Sequence, residues 1–570
     1  MTTSPYRWRW AALFVILAGE VMDMLDALIT NIAAPSIRAE LGGSVGTMQW
    51  LAAGYTLAMA VGLITGGRLG DLYGRRRMFL IGAGGFTLAS LLCGIAVSPG
   101  MLVGARMLQG LFGALLLPQG IGLIKQMFPP KEMAAAFGLF GPVMGLSSVG
   151  GPVLAGWLVD ADLFGTGWRM IFLINLPLGA AAVLAGLRFL PEGRAERAER
   201  LDLTGAALAS AGAALLVYPL VQGRELDWPV WTFAMMAAAA AVFWLFARYE
   251  IRRHRSGRDP LVVPALFRKR AFTGGLLMGL AFFCALAGFG LVLSLYTQMG
   301  LGYSPLKAGL AQIPWSVGIV LGFGLAQALA RLGRTVIHIG ALAMAAGVAG
   351  VVLTLEIAGN AVSPWQLTPA LLGTGLGMGL LMAPFFDIVL SGVEPEETGS
   401  AGGTLTAVQQ LGSALGAAVL GTILFGLLGG QVGTAADRAA PELRERLTAA
   451  GVAAPVQDRL VRALGDCARE RATAEDPAAV PASCARAERE TGAAMAAVPA
   501  ASAAAVRQAV ENAGRDAAAT GFGAAMKITL WVEVGLLGLT FVLAFLLPRH
   551  ARPEEEGAAE APAEPHPASA

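Results

Sequence analysis

From Ala11 almost to its C-terminus the chain alternates between apolar runs and short polar connections. Each run is about 20 residues long, enough to cross a hydrocarbon core, where only helices and closed barrels satisfy every backbone polar group. Barrel strands would be about 10 residues long with alternating polarity, and these runs are longer and apolar throughout. The pattern predicts an all-α polytopic membrane protein with spans near 11–35, 48–67, 78–98, 101–125, 133–158, 169–190, 203–222, 230–248, 271–298, 307–329, 334–357, 366–391, 402–428 and 524–547. That makes about fourteen, with ends uncertain by a few residues. Composition agrees: 56% of residues are hydrophobic and 14% charged, against about 25% charged in soluble domains.

Basic residues fix the expected sidedness, because short cytoplasmic loops are enriched in Lys and Arg. Alternate connections carry Arg7 and Arg9; Arg75, Arg76 and Arg77; Lys125 and Lys131; Arg188, Arg194, Arg197 and Arg200. The series continues with Arg252, Arg253, Arg255, Arg268, Lys269 and Arg270, then Arg331 and Arg334, then Arg549 and Arg552. The opposite short loops hold little beyond Arg38, Arg169, Arg224 and Lys307. Both termini are therefore expected in the cytoplasm, in a multi-pass protein of the inner membrane. "YRWRW" leads straight into the first run without a cleavage site, which reads as a retained first helix. The net charge of +2 implies no nucleic-acid partner.

Two regions are too polar to span. Residues 429–523 fall outside the membrane, where "PELRERLTAAG" and "ASAAAVRQAVENAG" suggest a loop or small helical cap. Residues 549–570 are expected to be a disordered cytoplasmic tail. Cys467 and Cys484 share the outside region and are either a disulfide, worth roughly 3 kcal/mol to a local fold, or two free thiols. Cys93 and Cys284 lie in spans, where a thiol acts as a small hydrophobe.

Within the first span, "LAGEVMDMLDALITNIAAP" (17–35) places Glu20, Asp23, Asp26, Thr30 and Asn31 in an arc of roughly 140° at about 100° per residue. Such a face must turn toward a cavity or other helices. Three ionised acids on it would repel, so at least one is expected to hold a proton. The bland reading is a static helix–helix contact. Arg106, about 10 Å into the fourth span, either snorkels to an interface or finds a buried partner. His338 is expected to serve packing.

Several motifs resemble the major facilitator superfamily of transporters. "GGRLGDLYGRRR" (66–77) carries Gly67, Asp71, Gly74, Arg75 and Arg76 in the family's Gly-x-x-x-Asp-x-x-Gly-Arg-Arg/Lys loop, which implies a latch that gates the conformational switch. Gly333 and Arg334 echo it weakly, with Ala330 where an aspartate would stand. "RMLQGLFGALL" (106–116) matches Arg-x-x-Gln-Gly through Arg106, Gln109 and Gly110, whose arginine the family implicates in proton coupling. "GPVMGLSSVGGPVLAGWL" (141–158) resembles the kinked antiporter helix, through Gly145, Gly151, Pro152 and Gly156, with Ala155 replacing a usual glycine. "LDALITNIAAP" matches the first-helix motif through Leu25, Asp26, Asn31, Ala33 and Pro35, whereas Glu20 and Asp23 are not part of it.

"WRMIFLINLPLG", "DPLVVPALFRKRAF", "YTQMGLGYSPLKAGL" and "QQLGSALGAAVLGT" look like the fourteen-span drug:proton antiporter branch. The resemblance implies a six-helix bundle over 1–190 and two inserted spans over 191–260. A second bundle would span 261–428 and 524–548. It implies a proton-coupled exporter of amphiphilic drugs or antibiotics, driven by the proton gradient without a cofactor or metal and expected to be monomeric. Glu20, Asp23, Asp26 and Arg106 would couple protons, and Asn31, Gln109, Gly110, Asp387, Gln409 and Gln410 are candidates for the substrate cavity. A dedicated exporter of one metabolite or self-made antibiotic is the alternative. An ATP-driven pump is disfavoured, since no Gly-x-x-x-x-Gly-Lys-Ser/Thr loop occurs. A receptor or enzyme built on 429–523 is remoter still, that region having no histidine.

Overall fold

A computed structural model of the chain describes residues 6–129, 132–133, 135–136, 139–192, 202–359, 362–394, 397–473 and 480–549. The tail beyond His550, the basic residues Arg194, Arg197, Arg200 and Arg552, and Lys131 lie outside the described residues.

The long helices are α1 Arg9–Leu41, α2 Val45–Tyr73, α3 Arg75–Gly94, α4 Pro99–Met127, α5 Phe140–Asp160, α6 Asn175–Phe189, α7 Leu203–Gln222 and α8 Val230–Arg255. They continue with α9 Arg270–Leu295, α10 Ile313–Ala328, α11 Thr335–Ala358, α12 Pro364–Leu390, α13 Thr398–Ala449, α14 Ala454–Thr473, α15 Ala482–Ala496 and α16 Ala500–Leu543. Eleven of the spans are long and apolar enough to cross a membrane outright, and α2, bent by 47°, makes a twelfth. The acid-bearing α1 and the proline-containing α5 fall outside that measure and pack in the same bundle as α2 to α4 and α6.

Local chemistry sets the boundaries. Ser44 and Ser98 cap α2 and α4 by accepting from Thr47 and Met101 backbone N–H groups, and Ser363 forms a capping box with Gln366. Gly74, at φ +99°, turns the chain between α2 and α3 in a region that side-chain-bearing residues avoid.

α1 to α6 pack together as one bundle, and α9 to α13 with α16 as the other, while α7 and α8 pair with each other and lean on α2 and α13. The bundles meet through their outer halves. Gln49 of α2 donates to the Ala418 carbonyl of α13 at 3.3 Å. Ser294 and Gln298, at the end of α9 and in the π turn that follows, donate to the Asn31 and Ile32 carbonyls of α1 at 2.8 and 2.9 Å. On the inner side, the linker before α9 is held by Arg68 of α2 at the Pro260 carbonyl. Glu250 of α8 accepts from the Val262 N–H at 3.2 Å, and Lys269 binds Glu397 at 2.6 Å.

The insertion over 429–523 is a helical cap. α13 continues unbroken to Ala449 and α16 begins at Ala500, so both spanning helices project from the membrane. At 1.5 Å per residue, the 52 residues of α13 are about 78 Å long, far more than a bilayer. The projecting parts form a cap with α14 and α15, around Leu443, Leu447, Leu460, Ala494 and Val506. The apolar spacing continues past the last membrane residue, which is why the helices do. Cys467 and Cys484 are disulfide-bonded, joining α14 to α15.

Candidate functional site

The polar face of α1 divides in two. Asp26, 2% exposed, turns into the N-terminal bundle. One carboxylate oxygen is ion-paired with the Arg106 guanidinium of α4. The other accepts from the amides of Gln109 at 2.8 Å and Asn175 of α6 at 2.9 Å. Arg106, 1% exposed, also donates to the Gln109 side-chain oxygen at 2.7 Å and the Leu51 carbonyl at 3.3 Å. Its guanidinium lies 4.2 Å from the centre of the Tyr55 ring. Ser90 of α3 closes the network by accepting from Gln109 and Asn175. A buried ion pair persists only when hydrogen bonds compensate its lost hydration, and here four helices supply them.

Asp23 lies one turn inward along α1 and is also buried, accepting a hydrogen bond from the Tyr55 hydroxyl of α2. Glu20, a further turn inward, is half-buried on a stripe with Met24, Leu28, Asn31 and Pro35. The three acids thus step from a partly accessible position to a sealed one, about 4.5 Å of rise at a time.

The sequence-derived cavity set is only partly accessible. Gln109 is fully buried within the Asp26 network, and Gly110 packs where a Cβ would stand 2.3 Å from the Tyr55 carbonyl. Neither lines solvent-reachable space, because both are consumed in packing α4 against α2 and α1. Asn31, Gln409 and Gln410 are half-buried, and Asp387 is exposed on α12. Tyr55, Ser90 and Asn175 are members of the network that sequence reasoning missed. Asn175 lies inside "WRMIFLINLPLG" as a lone amide in an apolar span, the signal that could have found it.

In the α2–α3 loop, Asp71 binds Arg75 at 2.9 Å across the Gly74 turn. Arg76 binds Glu192 at 2.9 Å and the Leu187 carbonyl, tying the loop to the end of α6. Arg75 also covers Gly122 of α4. Gly67 is loosely packed, with Pro118 3.7 Å from its would-be Cβ.

Gly145 and Gly156 of α5 face the other bundle. A Cβ on Gly156 would stand 2.4 Å from the Pro305 carbonyl, in the short helix Pro305–Ala311 that precedes α10. A Cβ on Gly309 would stand 2.2 Å from the Pro152 carbonyl. Gly145 faces Val320 of α10, and Gly151 faces Leu25 and Leu28 of α1. This backbone-to-backbone contact joins the two bundles, a use of small residues common where helices pack in lipid. His338 packs between Phe541 of α16 and Phe545 in the turn just after it, with ring centroids 4.8 and 4.4 Å away.

Residues 16–221 and 196–417 match the family model described as Major Facilitator Superfamily. The chain is 48% identical over 555 residues to a probable actinorhodin transporter of Streptomyces coelicolor, covering 97% of this chain and 94% of that one. It is 36% identical to a tetracenomycin C resistance and export protein of Streptomyces glaucescens, over 74% of this chain and 77% of that one. It is 33% identical to the multidrug resistance protein Stp of Mycobacterium tuberculosis, over 75% and 78%. In fold it is similar to a bacterial homolog of the human lysosomal transporter Spinster, with TM-score 0.55, 15% identity and coverage of 95% and 98%. Paired bundles and these matches establish that the chain belongs to the major facilitator superfamily and is a multi-pass membrane transporter, not an enzyme.

Proposed function

We propose that the protein is a proton-coupled antiporter that exports an antibiotic or similar amphiphilic small molecule from the cytoplasm by alternating access. The carrying observation is the Asp26–Arg106 pair, sealed in the N-terminal bundle behind Asp23 and half-buried Glu20. A carboxylate held by a fixed cation has two well-defined states. Ionised, it locks α1, α4 and α6 together; protonated, it releases Arg106 to other acceptors and loosens them. Because α1 also forms the outer contact with α9 through Asn31 and Ile32, a change at Asp26 reaches the outer seal about one to two turns away. Asp23 and Glu20 would relay the proton toward the cytoplasm. One charge moving through 100 mV supplies about 2.3 kcal/mol, enough for roughly fiftyfold accumulation of a neutral cargo. Both termini would lie in the cytoplasm, and no cofactor would be needed.

A second reading, a dedicated exporter of one antibiotic, is favoured by one observation. The match to the probable actinorhodin transporter runs through nearly the whole chain, cap included, whereas those to tetracenomycin C export and Stp cover about three quarters. Transport in proteoliposomes under an imposed pH gradient, with actinorhodin, tetracenomycin C and a set of lipophilic cationic dyes, separates the readings. Uptake of one antibiotic alone selects the dedicated exporter, and uptake of several selects the broad pump. Equal transport with the gradient collapsed rejects proton coupling.

A further inference from the structure

Glu533 sits in α16 at the level of the middle of α9 and is 0% exposed. Neither carboxyl oxygen has a hydrogen-bond partner among the described residues. α16 packs there against α9, α11 and α13. The titratable group beside Glu533 is the Cys284 thiol of α9, and at that level α9 and α13 meet through Gly416, where a Cβ would stand 2.1 Å from the Cys284 carbonyl. The other charged or titratable side chains on these helices are elsewhere. Arg270 starts α9 at its inner end, and His338 of α11 lies against Phe541 and Phe545, two turns inward. Glu356 of α11 binds Lys527 at 2.7 Å, almost two turns outward. The membrane part of α13 carries no charge.

An acid with no partner in such a place adds nothing to packing that an apolar residue of the same size would not supply. Its position is also not arbitrary. The sixth helix of each bundle ends in an apolar pair followed by proline, Phe189-Leu190-Pro191 and Leu546-Leu547-Pro548. Asn175 precedes its proline by 191 − 175 = 16 residues and Glu533 by 548 − 533 = 15. Each bundle therefore turns a polar side chain of its sixth helix inward at one depth, behind its first helix. In the N-terminal bundle that side chain completes the Asp26 network. In the C-terminal bundle it stands alone, and α9 beside it leads to Ser294 and Gln298 at the outer seal, about 15 Å further along the helix.

We propose that Glu533 is a second proton-carrying site, which holds its proton while the bundle is sealed. When α9 shifts and outside water reaches the carboxylate, a hydronium ion gives up its proton and the O–H bond forms; when the site next opens to the cytoplasm, the O–H bond breaks to a water molecule there and the carboxylate remains. The inference rests on the proton-coupled reading above and adds to it one proton per cargo carried by the C-terminal bundle.

The test uses the full chain in lipid. Infrared difference spectra between neutral and alkaline buffer should show loss of a protonated-carboxyl carbonyl band that is absent in Glu533→Gln and retained in Asp26→Asn. In proteoliposomes with actinorhodin as probe, Glu533→Gln should keep gradient-independent counterflow while its accumulation ratio falls to about the square root of the wild-type value. Infrared spectra of Glu533→Gln identical to wild type, or an unchanged accumulation ratio, would overturn the assignment. Absence of gradient-driven accumulation in the wild type would instead remove the proton-coupled reading, and the infrared arm would still decide whether Glu533 exchanges its proton.

Discussion

Behind its first helix, the N-terminal bundle holds Asp26, Arg106, Gln109 and Asn175 in mutual contact, whereas the C-terminal bundle holds Glu533 among apolar neighbours. The first arrangement spreads one negative and one positive charge over a set of fixed donors, so both ions can stay buried. The second offers an ion nothing. The same six-helix plan thus yields a site stable when charged and a site compatible only with the neutral acid. A transporter that must bind and release protons in different conformations can use both kinds.

Replacing Arg106 strikes the satisfied side hardest. Arg106→Lys keeps the charge, but a single ammonium cannot reach Asp26, Gln109 and the Leu51 carbonyl from one position. Breaking a buried pair costs about 3–5 kcal/mol, and gradient-driven transport should fall at least about a hundredfold while the protein still reaches the membrane, as read by transport and surface expression together. Gly156→Val attacks the seal between the bundles instead. Its side chain would have to displace the Pro305–Ala311 backbone, and overpacking of about 1–3 kcal/mol should shift the equilibrium about tenfold toward outside-open. Labelling of an Asn31→Cys reporter by a membrane-impermeant maleimide measures that shift.

Smaller effects are expected where solvent already helps. Glu20 is half-buried and outside the ion pair, so Glu20→Gln should slow transport only about two- to threefold, with the change smallest in acidic cytoplasmic buffer, where the wild-type acid is protonated and resembles the amide. Removing the cap disulfide with Cys467→Ser and Cys484→Ser should leave transport nearly unchanged. It should speed proteolysis of the cap, because the cross-link between α14 and α15 is worth about 3 kcal/mol locally.

Apolar run length and the sorting of basic residues made the spans legible, since bilayer thickness and loop charge constrain the sequence directly. The partnership of Asp26 with Arg106 was half legible: two ionisable groups inside spans each require a partner, but no spacing says that they choose each other. Gln109 and Gly110 were assigned to the cavity through the motif they share with Arg106. Spacings of three and four put them on the same helix face as Arg106, and because that face is buried inside the bundle the structure spends both on packing. The run of α13 to Ala449 was not legible, because a polar composition marks the end of the membrane and not the end of the helix. Glu533 was passed over as one acid in the last span. Its isolation is a property of three packed helices, which no single segment carries.

The account turns on Asp26 alternating between an ion-paired and a protonated state. Asp26→Asn keeps an oxygen acceptor for Arg106 and mimics the protonated acid permanently, so the decisive measurement compares two modes of transport in the same proteoliposomes. The account predicts that this variant exchanges labelled for unlabelled cargo at a rate near wild type and, when a pH difference is imposed, loses the accumulation that the Asp26 proton drives, keeping at most the share carried by Glu533. Uphill accumulation equal to wild type would contradict it.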